Sequence, residues 1–384
     1  MERVAIAGPN FSGRSETLRA RLGADGKSFF LGPYAEAALS GLSSTVADEI
    51  AIYRGSAQRH ATFPADIAAA GMRKPATLSG GEQVLLALHC FSRSDYGAIG
   101  IDTALEQLDV ANRARALDYL AVGAFDVTLA DNRVEQAPAG WSRQDTARTA
   151  DGFSLDLEGI AGALKPRTAP AIAISGMDFS YPSKDIFRGV DLSLAPATIY
   201  RLIGDNGAGK TTLLKLLVGV LAPARGTISL DGTPYQPRRS GNRAFALATQ
   251  NPDHQWCGAT LREDVARRRN ALSGRGIALP SEEEFAALSR RLGAKSLDNH
   301  VYELPLVARK RLSWLWPFCG AMPWAMLDEP TIGQDRDTRV ALAAAVTRLG
   351  ERGYGVLFVT HDDDFAACVP HRVLRIGGGT IREE

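Results

Sequence analysis

An apolar run, Ile199–Ile203, passes straight into Gly204-Asp-Asn206-Gly207-Ala-Gly209-Lys210-Thr211-Thr212 and then into the helical Leu213-Leu-Lys-Leu-Leu. Strand, glycine loop and helix in that order call for an α/β arrangement around a phosphate group. The glycines let successive N–H groups converge on phosphate oxygens, and the helix N-terminus adds its positive end. Lys210 would reach the β- and γ-phosphates, and Thr211 would offer its hydroxyl to Mg²⁺. The first half holds the same frame, Gly8-Pro-Asn-Phe-Ser-Gly13-Arg14-Ser15, with arginine where the lysine belongs.

The two halves are complementary elsewhere too. The first contains Leu78-Ser79-Gly80-Gly81-Glu82-Gln83, and the corresponding place in the second reads Leu304-Pro305-Leu306-Val307-Ala308. Spacing fixes that correspondence. Leu78 to Asp102 and Leu304 to Asp328 are both 24 residues, and Asp102 to Asp109 and Asp328 to Asp335 are both seven. Two unrelated segments would rarely share both intervals, so the chain is an internal repeat.

Apolar β-type runs (Val4–Ala7, Ala98–Ile101, Ile199–Ile203, Trp324–Leu327, Val356–Val359) alternate with helical stretches in each half, which argues for parallel sheets covered by helices. The expected organisation is a first domain over 1–134, a linker over 135–170 and a second domain over 171–384. The linker is rich in Ala, Gly, Thr and Pro, with a short strand expected at Phe153-Ser-Leu-Asp-Leu157. The opening residues read as a core strand rather than a signal peptide.

Ala325-Met-Leu327-Asp328-Glu329-Pro330 ends an apolar run in two carboxylates. Asp328 suits Mg²⁺, and Glu329 is placed to take a proton from an attacking water. Gln250, which opens Gln-Asn-Pro-Asp253-His-Gln255, can sense the metal or the γ-phosphate. His361, after Val356-Leu-Phe-Val-Thr360, can hold the γ-phosphate and the water.

Together these residues resemble the ABC ATPase family, and the resemblance covers nearly the whole chain as two tandem P-loop nucleotide-binding domains, the first abbreviated and degenerate. In that family two such domains dimerise head to tail, and one ATP lies between the phosphate loop of one and the Leu-Ser-Gly-Gly-Gln-type signature of the other. The resemblance implies that Gly204, Asn206, Gly207, Gly209, Lys210, Thr211 and Thr212 face Ser79, Gly80, Gly81 and Glu82 across ATP. It implies that Tyr181 stacks on adenine. It assigns Thr211, Gln250 and Asp328 to Mg²⁺, and Glu329, His361 and Gln250 to hydrolysis. The Gln-Asn-Pro-Asp-x-Gln string is similar to the ATPases of energy-coupling-factor and cobalt-type importers, where this segment touches the transmembrane coupling subunit.

The first half departs from the family at most catalytic positions. Arg14 replaces the lysine, and a planar guanidinium is a poor substitute inside a closed loop. Thr103 stands where the water-activating glutamate belongs, and no glutamine occurs from Arg21 to Ala57. Phe125-Asp-Val-Thr128 leads to no histidine, and none of the seven residues before the loop is aromatic. Ser15 and Asp102 keep the metal-binding chemistry. Opposite this site Pro305 lacks an N–H, so it is expected to be dead for hydrolysis. Loop-to-signature spacings of 70 and 100 residues are short for the family, which implies a reduced helical subdomain, most severely in the first half.

A net charge of +1 and no long basic linker argue against a nucleic-acid partner. Four scattered cysteines without a Cys-x-x-Cys pair argue against zinc or a disulfide framework and fit a reducing cytosol. Leu312–Leu327 carries no charge but is too short to span a bilayer and is broken by Pro317 and Pro323. It reads as a buried helix end, a turn and a central strand. Arg309-Lys310-Arg311 reads either as a docking face for a membrane partner or as a solvated helix start.

The expected function is the ATP-hydrolysing subunit of a transporter, with ATP and Mg²⁺ as cofactors and one working composite site. Its location would be cytoplasmic, on the inner face of the membrane through transmembrane partner subunits, and one chain holding both halves allows a monomer. Two alternatives stand beside it: a soluble ABC ATPase acting on nucleic acid or ribosomes, and a regulatory scaffold that binds ATP without turnover.

Overall fold

The computed structural model describes residues 1–8, 12–23, 27–55, 60–63, 70–147, 156–182, 184–273, 277, 279–294 and 296–384. The chain divides into two units, Met1–Gly152 with Ile332–Arg336, and Phe153–Thr331 with Asp337–Glu384.

In the first unit five strands, β1 (Arg3–Ala7), β2 (Ser28–Leu31), β3 (Ala98–Asp102), β4 (Asp126–Ala130) and β5 (Ser142–Asp145), form one sheet in the order β2-β3-β4-β1-β5. Every pairing in it is parallel. The strand backbones pair only if each has helices to cover its faces, and the residues oblige. Ile99, Ile101, Val127 and Leu129 are buried, and Val84, Ala87, Leu88 and Phe91 of the helix Gly80–Ser92 pack into the same core. On the other face Leu18 of the helix Arg14–Leu22 packs with Val4 and Ile6.

The second unit has two sheets. β6 (Ile172–Tyr181), β7 (Lys184–Leu194), β9 (Arg225–Leu230) and β10 (Thr233–Pro234) make an antiparallel sheet in the order β10-β9-β6-β7. β8 (Ile199–Ile203), β11 (Phe245–Ala248), β12 (Trp324–Asp328), β13 (Gly355–Val359), β14 (Arg372–Gly377) and β15 (Thr380–Glu383) form the other, ordered β11-β12-β13-β8-β14-β15. Its first five strands are parallel, and β15 returns antiparallel at the edge. Matched by place in the chain, those five strands have the same spatial order as the five of the first unit. The uncharged stretch ends as read, with the helices Leu306–Ser313 and Leu315–Phe318, a turn, and β12 inside the sheet.

Within the described residues of the segment expected to be a linker, a strand and a helix form. β5 pairs with β1, Val4 against Ser142 through Ala7 against Asp145. The strand expected at 153–157 falls mostly outside the described residues, and Leu157 opens the helix Leu157–Ala163 instead. Asp156 caps it by accepting from Gly159 N–H at 2.8 Å. Leu157, Ile160 and Ala161 then enter the core with Leu288 and Leu292. Downstream, Arg167 and Ala169 N–H donate to the carbonyls of Arg352 and Gly353, each at 2.8 Å.

A linker residue would tolerate truncation within about 0.5 kcal/mol, whereas a core leucine loses about 2–5 kcal/mol. Leu157→Ala is therefore expected to lower the second unit's stability by the larger amount, read as the shift in its denaturation midpoint.

Candidate functional site

The phosphate loop of the second unit joins β8 to the helix Lys210–Val218. Two of its glycines are there for room as well as for conformation. Gly204 has φ 152° and Gly209 φ 115°, and a Cβ would lie 2.7 Å from Ile376 O in the first case and 2.5 Å from Ile186 Cγ2 in the second. Lys210 Nζ donates to the carbonyls of Gly204 at 2.7 Å and Asp205 at 3.2 Å, so the ammonium folds over the loop. Lys184 Nζ donates to Gly207 O at 2.8 Å. Tyr181 ends β6, exposed, with its hydroxyl 3.3 Å from Thr212 Oγ1. Thr212 itself is buried, and Asn206 lies in the loop turn.

Thr211 Oγ1 donates to Asp328 Oδ2 at 2.9 Å, which joins the start of that helix to the end of β12. A hydroxyl and a carboxylate are hard oxygen donors of the kind Mg²⁺ takes with phosphate oxygens, so these residues fit that ion. Burial and the neighbouring Glu329 push the Asp328 carboxyl above its ordinary range, with the Thr211 bond and Lys310 opposing them. A cation bound there would favour the ionised form.

Glu329 leaves the strand with left-handed backbone, φ 45°, while its N–H donates to Val359 O at 2.9 Å. That bend directs its carboxylate to the end of β13. There Oε2 accepts from His361 N–H at 3.3 Å and Oε1 lies 3.6 Å from His361 Nε2. Glu329 is buried, whereas His361 is partly open.

Gln250 follows β11, beside Asn251, whose side chain caps the turn Pro252–His254. Gln255 is used structurally: Oε1 accepts from Thr249 N–H at 3.1 Å and Nε2 donates to Ser313 O at 3.1 Å. Apart from Tyr181, which ends β6 of the antiparallel sheet, the predicted groups of this half thus sit at or just past the carboxyl ends of four neighbouring parallel strands.

Strand register shows what occupies the same places in the first unit. Asp102 pairs with Ala130 as Asp328 pairs with Val359. Thr103 has φ 55° and donates its N–H to Ala130 O at 2.7 Å, repeating the backbone of Glu329 without its carboxylate. Left-handed geometry in a β-branched residue costs of order 1–3 kcal/mol. Asn132 takes the place of His361, and Pro33 the place of Gln250. Arg14 Nη1 donates to Asn132 Oδ1 at 2.6 Å, and Asn132 Nδ2 donates to Glu106 Oε1 at 2.8 Å. The arginine is therefore committed to protein partners. Burial raises the Asp102 pKa, against a bond from Ser15 and the charge of Arg14. Residues 9–11 of this loop lie outside the described residues.

Ser79 is the N-cap of the helix Gly80–Ser92, with a complete capping box. Its N–H and Oγ donate to Glu82 Oε2 at 2.7 and 2.9 Å, and Arg73 Nη1 donates to Glu82 Oε1 at 2.8 Å. Burial alone would raise the Glu82 pKa, but the bonds from Arg73 and Ser79 outweigh it and hold it below the ordinary value. Gly80 and Gly81 are the first two residues of the helix, and Gly81 is buried. In the second unit Pro305 caps the helix Leu306–Ser313 with no side-chain hydrogen bond.

Neither expectation for Arg309-Lys310-Arg311 survives. Lys310 and Arg311 are each 1% exposed, which excludes both a docking face and a solvated start for them. Lys310 Nζ donates to the carbonyls of Thr249, Gln250 and Asp328 at 2.9, 2.7 and 3.2 Å. Burial lowers its pKa, and Asp328 and Glu329 oppose that. Arg309 pairs with Asp253 at 3.0 Å. One signal in the sequence pointed to Lys310. It lies 226 residues beyond Val84, as Asp328 lies beyond Asp102, and Val84 is a core position.

Among the described residues no helix is long and apolar enough to cross a membrane. A model of the ABC transporter family matches residues 187–332. A putative HMP/thiamine import ATP-binding protein of Bacillus subtilis is 28% identical over 221 residues, 56% of this chain. The chain spans only 39% of that relative's length. A putative ABC transporter ATP-binding protein of Methanosarcina mazei is 26% identical over 343 residues, which cover 81% of this chain and 67% of that one. An energy-coupling factor transporter ATP-binding protein of Lactiplantibacillus plantarum is 30% identical over 227 residues, 56% of this chain and 79% of the relative. With the phosphate loop, the paired carboxylates and the parallel sheet that carries them, these likenesses place the chain in the ABC ATPase family.

Proposed function

We propose that the chain is the ATP-hydrolysing part of an ABC transporter of the energy-coupling-factor kind, built as two tandem nucleotide-binding domains with one working site. The observation that carries this reading is an asymmetry of side chains on a shared strand order. Lys210, Gln250, Glu329 and His361 end their strands or loops in the second unit, and Arg14, Pro33, Thr103 and Asn132 hold the matching places in the first. The signature Ser79-Gly80-Gly81-Glu82 is intact only in the first. The working site would therefore join the second unit's loop to the first unit's signature.

In this reading ATP lies along the loop Gly204–Thr212 with adenine on Tyr181, and Asn206, Gly207 and Gly209 supply backbone room. Lys210 unfolds from its two carbonyls to reach the β- and γ-phosphates. Thr211, Asp328 and Gln250 would hold Mg²⁺, which would neutralise charge on the phosphate oxygens. Glu329 takes the proton of the attacking water, and His361 orients that water and the γ-phosphate. Ser79 Oγ and the Gly80 and Gly81 N–H groups add their contacts only when the site closes, so they act on the reactive state. A membrane partner uses that closure, and the protein stays peripheral to the membrane through it. The rival activities on nucleic acid or as a silent scaffold have less support, given the +1 net charge and the complete set Glu329, His361 and Lys210.

Glu329→Gln keeps shape and hydrogen bonding but removes the proton acceptor. Turnover is expected to fall by about 10²–10⁴ while ATP affinity is kept, as measured by steady-state hydrolysis and nucleotide binding. Hydrolysis at the parent rate would remove Glu329 from the mechanism.

The composite pairing has its own test. Ser79→Arg fills space meant for phosphate and is expected to stop hydrolysis while sparing ATP binding at Lys210. Pro305→Arg, at the matching place in the other half, should do little because the site it would face has lost its chemistry. Full activity in the Ser79 variant would sink the head-to-tail arrangement.

A further inference from the structure

The helix Leu306–Ser313 stands where the signature helix stands in the other half, yet it buries two consecutive cations. A buried ammonium costs several kcal/mol unless its hydrogens all find acceptors. Lys310 has three N–H groups and three carbonyls within 3.2 Å, those of Thr249, Gln250 and Asp328.

The place of those carbonyls is what matters. The β11–β12 ladder runs from Phe245 against Trp324 to Ala248 against Leu327 and stops there. The next residues, Thr249 and Asp328, diverge, one chain toward Gln250 and the other toward Glu329. Lys310 joins them at that point. The helix that carries it is held on both sides, by Arg309 to Asp253 at 3.0 Å and by Arg311 Nη2 to Thr338 Oγ1 at 2.6 Å.

We propose that Lys310 is a positioning residue for hydrolysis, whose side chain brackets the backbone of Gln250 to that of Asp328 and so fixes the spacing of the groups that hold the metal and the water. The proposal rests on the reading of the second unit's site as the hydrolytic one. It makes the altered signature helix a working part of its own half. A filler of the core would affect stability alone. A bracket sets the Mg²⁺ requirement and the turnover, and leaves nucleotide capture by Lys210 unchanged.

The test uses the full chain with Lys310→Gln and Lys310→Arg. Arg311→Lys, which loosens the same helix from Thr338, is one control, and Glu329→Gln is the other. Four quantities are measured: affinity for a non-hydrolysable ATP analogue in EDTA, kcat, the Mg²⁺ concentration giving half-maximal rate, and the thermal midpoint. Lys310→Gln keeps two of the three donors at most. Its analogue affinity should stay within about threefold of the parent. Its kcat should fall about 10–100-fold, as expected for a misplacement of catalytic groups, with a higher Mg²⁺ requirement. Lys310→Arg, which keeps the charge, should recover part of the rate. Arg311→Lys should lower the thermal midpoint and leave the Mg²⁺ requirement at the parent value.

Parental kcat and Mg²⁺ requirement in Lys310→Gln overturn the proposal, as does an equal Mg²⁺ effect in Arg311→Lys. Failure of both Lys310 variants to bind the analogue overturns it too, because Lys310 would then hold the fold and not the site. If Glu329→Gln hydrolyses at the parent rate, the reading of the site itself fails. If Glu329→Gln is inactive and Lys310→Gln is normal, only the bracket fails.

Discussion

A parallel sheet sends the carboxyl end of every strand to one edge, and the polar chemistry of the second unit depends on that constraint. β11, β12, β13 and β8 are consecutive neighbours, spaced at roughly 4.8 Å, so Gln250, Asp328, Glu329, His361 and the phosphate loop leave the sheet close together. What turns a row of strand ends into a site is the bend at Glu329. Left-handed backbone there, pinned by the N–H bond to Val359, aims the carboxylate at His361. The first unit keeps the bend at Thr103, with the same bond to Ala130, and has no carboxylate to aim. The sheet imposes the same backbone geometry on both units, and they differ in the side chain that it presents.

Much of this is visible in the sequence because strands buried on both faces read as unbroken apolar runs. Trp324–Leu327 and Val356–Val359 are strands to within a residue of their apolar limits, and Ile199–Ile203 is one although Arg201 interrupts it. The 24- and seven-residue intervals locate the altered signature, and a helix does begin there, at Leu306. The stretch 135–170 is opaque for a physical reason. β5 is an edge strand of sequence Ser-Arg-Gln-Asp, largely exposed, so it has no apolar signal to read. Leu157–Ala163 has only seven residues, and a single turn's worth of buried positions, at 157, 160 and 161, resembles coil composition. Tertiary packing makes that helix, since so short a one has little stability of its own.

Lys310 is hidden differently. Three adjacent charges look solvated to any local reading, because burial of lysine or arginine is rare without partners. Here the partners are backbone carbonyls of Thr249 and Gln250, just past β11, and of Asp328 at the end of β12, which leave no mark in local composition. Only comparison with the other half, where Val84 fills the equivalent place, identifies the position as interior.

The two halves therefore use the same helix at different ends. In the first, bonding is concentrated at the N-terminus, where Ser79 and Glu82 form the capping box and two glycines open the helix. A helix start carries partial positive charge and free N–H groups, which suits phosphate. In the second, Pro305 offers neither a side-chain cap nor an N–H, and the strong bonds lie in the last turn, through Lys310 and Arg311. Cations there complement the negative end of the helix. Since removing one partner of a buried charge costs about 3–5 kcal/mol, this end of the helix is fixed to β11 and β12 more firmly than surface pairing could achieve. The change from Ser-Gly-Gly-Glu to Pro-Leu-Val-Ala is thus half of a larger difference. One helix concentrates its bonds at its start, and the other commits its end to the residues that leave β11 and β12.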